Sequence, residues 1–218
     1  MKSLRNLLIQ GKKVYTKNKT PGKSVYGEKL INFNGIEYRI WDPEKSKICA
    51  AFLKGLEIEL KPEDKILYLG AASGTTISHL SDLLENGKIF GVEISARVLA
   101  NLVLLSKERD NIFPILADAN NPLEYVNIVP LVDVVFQDVA QKNQLEIFLK
   151  NCKIFLKESG IGILALKTRS IDVSKKPSEI HQAILRELKN HFETVEFVNL
   201  EPFEKDHYAY LCKNFKMF

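Results

Sequence analysis

The chain has 218 residues, of which 45% are hydrophobic and 27% are charged, and its formal net charge at pH 7 is +4. These proportions indicate a folded globular protein, and no apolar run approaches the ~18 residues that a membrane-spanning helix needs. The three cysteines, Cys49, Cys152 and Cys212, form no C-x-x-C pair, which favours a reducing cytoplasm and argues against a zinc site.

Positive charge is concentrated at the N-terminus. The first 30 residues contain one acidic residue, Glu28, and eight basic ones, which leaves 23 basic and 26 acidic residues in the remainder. The eight are Lys2, Arg5, Lys12, Lys13, Lys17, Lys19, Lys23 and Lys29. A nucleic-acid partner that contacts this segment would explain the surplus, and so would a solvated leader. The apolar run at residues 7–9 is too short for a signal peptide.

Short strand-like segments precede residue 45. They lie at residues 24–26, 29–31 and 36–40 and are separated by Pro21-Gly22, Gly27 and Asn34-Gly35. An Asn-Gly pair between two such segments is a strong β-hairpin signal. We therefore predict a small antiparallel β appendage over residues 1–45 and a larger domain over residues 46–218.

Strands and helices alternate in this larger domain. A helix is predicted over residues 46–56, before the first strand of the series. Apolar runs predict strands over 65–69, 88–93, 112–116, 132–137 and 160–167, and helical periodicity predicts helices over 75–85, 95–108, 143–156 and 178–190. This alternation predicts a parallel sheet covered on both faces. Two further strands, over 193–200 and 207–213, have no helix between them, so at least one should run antiparallel. This is the α/β architecture of class I methyltransferases.

A glycine turn follows the first parallel strand. Gly70 and Gly74 permit close backbone approach to a ligand, and Thr75 begins a helix whose free N–H groups face the turn. Glu93 ends the next strand, 23 residues beyond Gly70, where an acid suits the ribose hydroxyls of a nucleoside. The turn lacks a Gly-Lys-Ser/Thr ending and G-x-G-x-x-G spacing, so S-adenosylmethionine suits it better than a nucleotide with phosphates. The alternative is a strand–helix turn with small residues for packing.

Several segments resemble the fibrillarin family. They are GAASGTT at 70–76, QDVAQ at 137–141, KTRSID at 167–172, KDH at 205–207, and the earlier EYR at 37–39, WDP at 41–43 and SK at 46–47. The match is dense and collinear from about Val25 to Cys212. It is similar to the archaeal form of the family, because a Gly/Arg-rich N-terminal tail is absent from the sequence.

The resemblance implies an S-adenosylmethionine-dependent 2′-O-methyltransferase that modifies ribosomal RNA, and in archaea transfer RNA, within a box C/D guide ribonucleoprotein. It also implies three partners: guide RNA, a Nop-family scaffold protein and a kink-turn-binding protein. The chain has no recognisable RNA-binding module of its own, so target choice should come from such partners. Two alternatives stay open: a methyltransferase that acts on protein or small molecules, and a non-catalytic ribonucleoprotein scaffold.

The resemblance assigns two sets of site residues. The catalytic set is Lys47, Asp138, Lys167 and His207. The cofactor set is Thr75, Thr76, Glu93, Ile94, Asp118, Ala119, Asp138, Val139, Ala140 and Gln141. Most of these positions follow successive parallel strands, as one shared cleft requires. Methyl transfer is an in-line displacement, so the protein mainly aligns the groups and eases loss of the hydroxyl proton. The proton acceptor stays open among Lys47, Asp138 and Lys167.

Three positions differ from the family pattern. Ile94 replaces a usual aromatic residue, Thr168 replaces a usual alanine, and Tyr208 replaces a small residue after His207. The first of these bears on stacking with the adenine ring.

Overall fold

The computed structural model describes residues 6–216, and these form two β-sheets flanked by helices. The first sheet contains β1 (Leu7–Gln10), β2 (Lys13–Lys17), β3 (Leu30–Phe33) and β4 (Ile36–Trp41). The second contains β5 (Lys65–Leu69), β6 (Lys88–Glu93), β7 (Ile112–Leu116), β8 (Val132–Gln137), β9 (Leu156–Lys167), β10 (Phe192–Asn199) and β11 (His207–Phe215). The helices are α1 (Lys47–Leu53), α2 (Thr75–Leu83), α3 (Ala96–Ser106), α4 (Gln144–Phe155), α5 (Thr168–Ile171) and α6 (Pro177–His191), with a short 3-10 turn at Pro122–Glu124.

The first sheet is antiparallel, with strand order β1-β2-β4-β3. Asn34 and Gly35 form the predicted two-residue hairpin between β3 and β4, and both have positive φ, 52° and 79°, as a type I′ turn requires. The predicted strand at residues 24–26 is wrong, because the N–H groups of Val25 and Tyr26 donate to the Glu28 carboxylate instead of a neighbouring strand. Strands β1 and β2 were not predicted, and Lys2 and Arg5 lie outside the described residues.

The second sheet has the order β10-β11-β9-β8-β5-β6-β7. Strand β11 runs antiparallel to both of its neighbours, and the other pairings are parallel, which confirms the predicted methyltransferase architecture. Alternate residues of β5 enter two separate cores: Ile66 packs in one with α1–α3, and Leu67 in the other with α4 and α6. Helix α1 ends three residues before its predicted end, since Gly55 adopts a left-handed φ of 93°. Strand β9 begins at Leu156, four residues earlier than predicted.

A buried charge network joins the two sheets. The Asp82 carboxylate on α2 accepts hydrogen bonds from Arg39 Nη1 at 2.8 Å, Arg109 Nη1 at 2.6 Å and Thr16 Oγ1 at 2.7 Å. The side chains of Asp82 and both arginines are fully buried. We call Arg39, Asp82 and Arg109 the buried cluster. It fastens β2 and β4 onto α2, and the division of the chain near residue 45 into two domains stays a prediction.

His79 lies beside the buried cluster, also on α2. Its ring stacks on Trp41, with centroids 5.3 Å apart, and its two nitrogens lie 2.8 Å from the hydroxyls of Thr16 and Tyr26. Burial, together with the two nearby arginines, holds the pKa of His79 well below its usual range. The imidazole is therefore neutral at pH 7, and it closes the contact between the sheets.

Candidate active site

The carboxyl ends of the parallel strands meet in one cleft with two compartments. Gly70 follows β5, Glu93 ends β6 and Asp138 follows β8. The acidic compartment is a cavity of about 310 Å³ that includes Glu93 and Asp118, and the lysine compartment is a cavity of about 360 Å³ that includes Lys47 and Lys167. Four residues line both compartments: Gly70, Ala72, Asp138 and Ala140. A ligand in one compartment therefore reaches the boundary of the other.

Gly70 permits this shared boundary. It has a φ of 81°, and a Cβ atom at this position would lie 2.5 Å from the Asp138 carbonyl oxygen. The Asp138 N–H also donates to the Leu69 carbonyl at 2.9 Å, which extends the β5–β8 pairing by one residue. Any other residue at position 70 would force these two loops apart.

The acidic compartment brings together eight of the ten predicted cofactor residues. They are Glu93, Ile94, Asp118, Ala119, Asp138, Val139, Ala140 and Gln141. Thr75 and Thr76 instead line the lysine compartment, where the Thr76 hydroxyl donates to Ser46 Oγ at 3.1 Å. The predicted cofactor set therefore spans the shared boundary of the two compartments.

Backbone contacts hold Glu93 in place. One carboxylate oxygen accepts from the Ser95 N–H at 2.9 Å, and the other accepts from the Ala72 N–H at 3.2 Å. Each oxygen has a second lone pair, so the carboxylate can still accept hydrogen bonds from a ligand. A carboxylate held in this way has free acceptor capacity for two neighbouring hydroxyl groups.

Asn120 ties the loops after β7 and β8 together. Its amide nitrogen donates to Asp118 Oδ1 at 3.0 Å and to Gln141 Oε1 at 2.9 Å. Ile94, at the edge of the compartment, is 59% exposed and presents an aliphatic surface where the family usually has an aromatic ring. A flat ring bound there would rest on apolar atoms without aromatic stacking.

All four residues of the predicted catalytic set line the lysine compartment, beside Glu204. Lys47 Nζ lies 3.1 Å from Asp138 Oδ2 and 3.7 Å from Glu204 Oε1. Burial raises the pKa of Asp138 above the usual value for aspartate, although the charge of Lys47 opposes the rise. The Lys47 amine is thus placed between two carboxylates at the first turn of α1.

Lys167 and His207 stand opposite each other across the β9–β11 pairing. Within residues 6–216, the Lys167 amine forms no hydrogen bond or ion pair, and the residue is exposed. His207 Nδ1 lies 2.7 Å from the Lys205 carbonyl oxygen. Since a carbonyl only accepts, this contact requires a proton on Nδ1, and in the neutral ring Nε2 is then an acceptor.

Sequence reasoning missed Glu204. Its Oε2 lies 3.9 Å from His207 Nδ1, so the carboxylate stands between His207 and Lys47. Glu204 belongs to the loop between β10 and β11, which has no hydrophobic periodicity to place its side chains. The one signal in the sequence was that Glu204 lies three residues before His207. Outside a helix, this spacing does not place two side chains on the same face.

Two of the departures from the family pattern have a structural explanation. The Thr168 hydroxyl donates to the Asp206 carbonyl at 2.8 Å, a contact that alanine cannot make, and so helps fix the loop before β11. Tyr208 stacks on His181 with centroids 4.3 Å apart. Because successive strand residues alternate between faces, Tyr208 packs under α6 while His207 lines the cleft. Neither substitution places a new group in the cleft.

The seven-stranded sheet contains one antiparallel strand, and its cleft lies at the carboxyl ends of the parallel strands, with Glu93 ending the strand after the glycine turn. These features define a class I S-adenosylmethionine-dependent methyltransferase. Comparison with known proteins identifies the family: the sequence profile described as Fibrillarin matches residues 6–216. The chain belongs to the fibrillarin family.

Individual relatives agree with this assignment. The chain is 53% identical over 203 residues to the fibrillarin-like rRNA/tRNA 2'-O-methyltransferase of Thermococcus gammatolerans, covering 92% of this chain and 90% of the relative. The fibrillarin of a fibrillarin/Nop5p complex is similar in structure, with a TM-score of 0.89 and 43% identity over 97% of this chain and 98% of that one. Aeropyrum pernix fibrillarin, solved with natively bound S-adenosyl-L-methionine, has a TM-score of 0.80 and 43% identity over 92% and 88%.

Proposed function

We propose that the chain is an S-adenosylmethionine-dependent 2′-O-methyltransferase that modifies ribosomal and transfer RNA as the catalytic subunit of a box C/D guide ribonucleoprotein. The observation that carries this proposal is the Lys47–Asp138 ion pair at 3.1 Å beside the amine of Lys167, which has no partner among residues 6–216, at the edge of a nucleoside-sized cleft. A ribose hydroxyl is only weakly acidic, so methyl transfer needs groups that orient it and accept its proton. Relatives about 50% identical are named as rRNA/tRNA 2'-O-methyltransferases, which supports the same substrates.

The acidic compartment fits the adenosine half of S-adenosylmethionine. Glu93 would accept hydrogen bonds from the ribose hydroxyls, and Asp118 would accept one from the adenine amino group. Small apolar side chains line the walls, those of Ala119, Val139 and Ala140. When bound, the cofactor supplies a methyl group already activated by a sulfonium. The methionine portion would reach the shared boundary at Gly70, toward Thr75 and Thr76.

The lysine compartment would orient the ribose hydroxyl. Lys167, whose amine is free of other partners in the described part of the chain, would contact the 2′-oxygen and either orient it or accept its proton. Asp138 and Lys47 fix the charge beside it, and His207 completes the wall. Transfer forms the bond from the 2′-oxygen to the methyl carbon and breaks the carbon–sulfur bond, while the hydroxyl proton passes to the basic group.

Target choice would come from partners. The net charge of +4 is small for tight RNA binding, and two N-terminal lysines are already engaged: Lys19 lies 3.2 Å from Asp110, and Lys23 lies 2.8 Å from Glu108. Guide RNA would select the nucleotide by base pairing, held by a kink-turn-binding protein and a Nop-family scaffold. The fibrillarin/Nop5p complex supports such a scaffold. Three buried, unpaired cysteines are consistent with assembly in the cytoplasm, and no helix in residues 6–216 is long and apolar enough to span a membrane.

Reconstitution tests the proposal. Guide RNA, scaffold and kink-turn-binding protein are each omitted in turn while methylation of one target nucleotide is followed. Site-specific methylation should need every component, and efficient methylation by the purified chain alone would contradict the role of the partners. A complete complex that binds S-adenosylmethionine in a calorimetric titration but methylates no RNA would favour a different methyl acceptor, such as a protein. Absence of cofactor binding would favour a non-catalytic scaffold.

A further inference from the structure

We infer that Glu204 is a positioning residue for methyl transfer, acting through Lys47 and His207. This inference rests on the proposed function. The two carboxylate oxygens of Glu204 face different residues of the lysine compartment: Oε1 lies 3.7 Å from Lys47 Nζ, and Oε2 lies 3.9 Å from His207 Nδ1. Glu204 therefore connects a side chain at the start of α1 with one at the start of β11, which are 160 positions apart in the sequence.

Lys47 needs a second anchor to hold one position. The lysine side chain is long and flexible and ends in a compact charge, so a single carboxylate leaves it several orientations. Asp138 at 3.1 Å and Glu204 at 3.7 Å approach the same nitrogen through different oxygens. With both present, the amine is held between them, and Asp138 in turn keeps its orientation beside the cavity.

Glu204 also offsets part of the positive charge of the compartment. Three lysines and two carboxylates line it, so removal of Glu204 leaves one carboxylate for three lysines. The pKa of Asp138 is raised chiefly by burial, and the charge of Glu204 adds to the rise. The second carboxylate thus acts on the electrostatics of the group that the proposed mechanism places beside the hydroxyl.

The second carboxylate oxygen of Glu204 faces His207. His207 Nδ1 lies 2.7 Å from the Lys205 carbonyl oxygen and 3.9 Å from the Glu204 carboxylate, and the carbonyl dipole and the carboxylate charge both favour the tautomer with the proton on that nitrogen. This fixes the tautomer in which Nε2 is the acceptor. The ring orientation is then set from the loop side, independently of any ligand.

The loop that carries Glu204 is itself anchored on both sides. The Glu204 N–H donates to the Leu200 carbonyl at 3.2 Å, and Lys54 Nζ donates to the Glu201 carbonyl at 2.8 Å. On the other side, Asp206 accepts a hydrogen bond from Arg169 Nε at 3.1 Å. A carboxylate on a fixed backbone can position its neighbours, whereas one on a mobile loop would follow them.

The test compares three variants in the reconstituted complex under single-turnover conditions. Glu204→Gln keeps the shape and removes the charge, and Glu204→Asp keeps the charge with a shorter reach. Glu201→Gln makes the same change at an exposed position of the same loop and is the matched control. We expect Glu204→Gln to lower the rate constant about ten- to a hundredfold, Glu204→Asp to recover part of it, and the control to match the wild type. The dissociation constant for S-adenosylmethionine should change much less than the rate constant, because the Glu204 carboxylate contacts Lys47 and His207, which are not among the cofactor residues.

A double-mutant cycle with Lys47→Met separates positioning from a direct role. If Glu204 acts through Lys47, the Glu204→Gln change should cost much less in the Lys47→Met background than in the wild type. Fully additive losses, or a wild-type rate in Glu204→Gln, would overturn this inference. The proposed function would still stand in that case, provided that the wild-type complex is active. An inactive wild-type complex would overturn the proposed function and this inference with it. Circular dichroism of each variant excludes unfolding as the cause of a loss.

Discussion

Two charge clusters in this chain each bring carboxylates and basic side chains together, and they differ in their basic groups and in what surrounds them. In the buried cluster, Asp82 contacts two arginines, and all three side chains are 0% exposed. In the lysine compartment, Asp138 and Lys47 are 21% and 20% exposed and face a cavity, with Lys167 unpaired nearby in the described structure. Where every charged group has a fixed and buried partner, a cluster holds the fold together. Where one cation is left without a partner beside open volume, it is available to a substrate.

The largest expected effect concerns activity in the lysine compartment. Asp138→Ala and Lys167→Ala should each lower methylation by the complete complex about a hundred- to ten-thousandfold, because each removes a group that acts on the hydroxyl proton. Thermal unfolding followed by circular dichroism should change little, since Asp138 follows β8 and Lys167 ends β9, both at the cleft and outside the hydrophobic cores. Lys205→Ala, at an exposed lysine of the same rim, is the control and should turn over normally at saturating RNA. Near-normal turnover in either test variant would contradict the assignment of the lysine compartment to activity rather than to stability.

The complementary change lies in the buried cluster. Asp82→Asn removes the carboxylate that the two buried arginines share, which leaves Arg39 with Glu28 and leaves Arg109 with no carboxylate partner within residues 6–216. The change should cost about 3–5 kcal/mol of unfolding free energy, measured by denaturant titration. Asp110→Asn provides the matched control: its carboxylate pairs with Lys19 on the surface, its side chain is 90% exposed, and the loss should stay below about 1 kcal/mol. A loss at Asp82 no larger than at Asp110 would show that the buried network is not what stabilises this contact.

A third change sharpens the contrast within the cleft itself. Glu93→Ala should weaken S-adenosylmethionine binding by about 1–3 kcal/mol, because it removes ribose acceptors and releases the N–H groups of Ala72 and Ser95. Calorimetric titration measures the dissociation constant. Glu93→Gln keeps one acceptor oxygen and should lose less. An unchanged dissociation constant in Glu93→Ala would refute the assigned role.

The smallest effect is a pH dependence of stability at the buried cluster. The pKa of His79 is lower in the folded state than its usual value of 6.5. Below about pH 6.5 the unfolded chain therefore binds a proton that the folded one does not, and stability falls by up to ~1.4 kcal/mol per pH unit. Denaturant titrations at pH 7 and 5.5 should show a smaller fall in His79→Gln than in the wild type. Burial also lowers the pKa of His181, so the test is the difference between the two proteins; equal falls would exclude His79.

Most of the larger sheet could be predicted from the sequence, because buried parallel strands are continuous apolar runs bounded by turn residues. The hairpin at Asn34–Gly35 was equally clear. Strands β1 and β2 escaped prediction since they are only four and five residues long, and the lysines in and beside β2 are typical of a solvated leader. Strand β1 pairs with β2, and β2 pairs with β4, and this second pairing is a long-range property that local pattern does not contain.

The candidate site was predicted unevenly for a related reason. Residues that follow parallel strands converge by topology, so the positions of Glu93, Asp118 and Asp138 could be inferred from strand ends alone. Lys47 and His207 required the family resemblance. Glu204 and the buried cluster were missed, because Lys47 lies 157 positions from Glu204 and the two arginines lie 27 and 43 positions from Asp82. A charged residue in a sequence is, moreover, ordinarily expected to be exposed.

The register of β11 against β9 has a consequence for the order in which this protein is made. The residues of the acidic compartment lie between positions 70 and 141, whereas Lys167 acquires its neighbour His207 only through β11, which follows every other strand of the seven-stranded sheet. Every residue that lines the pocket for the methyl donor is therefore synthesised before the strand that completes the wall beside the acceptor. A chain interrupted before β11 contains all the residues of the donor pocket and lacks the histidine that stands opposite Lys167.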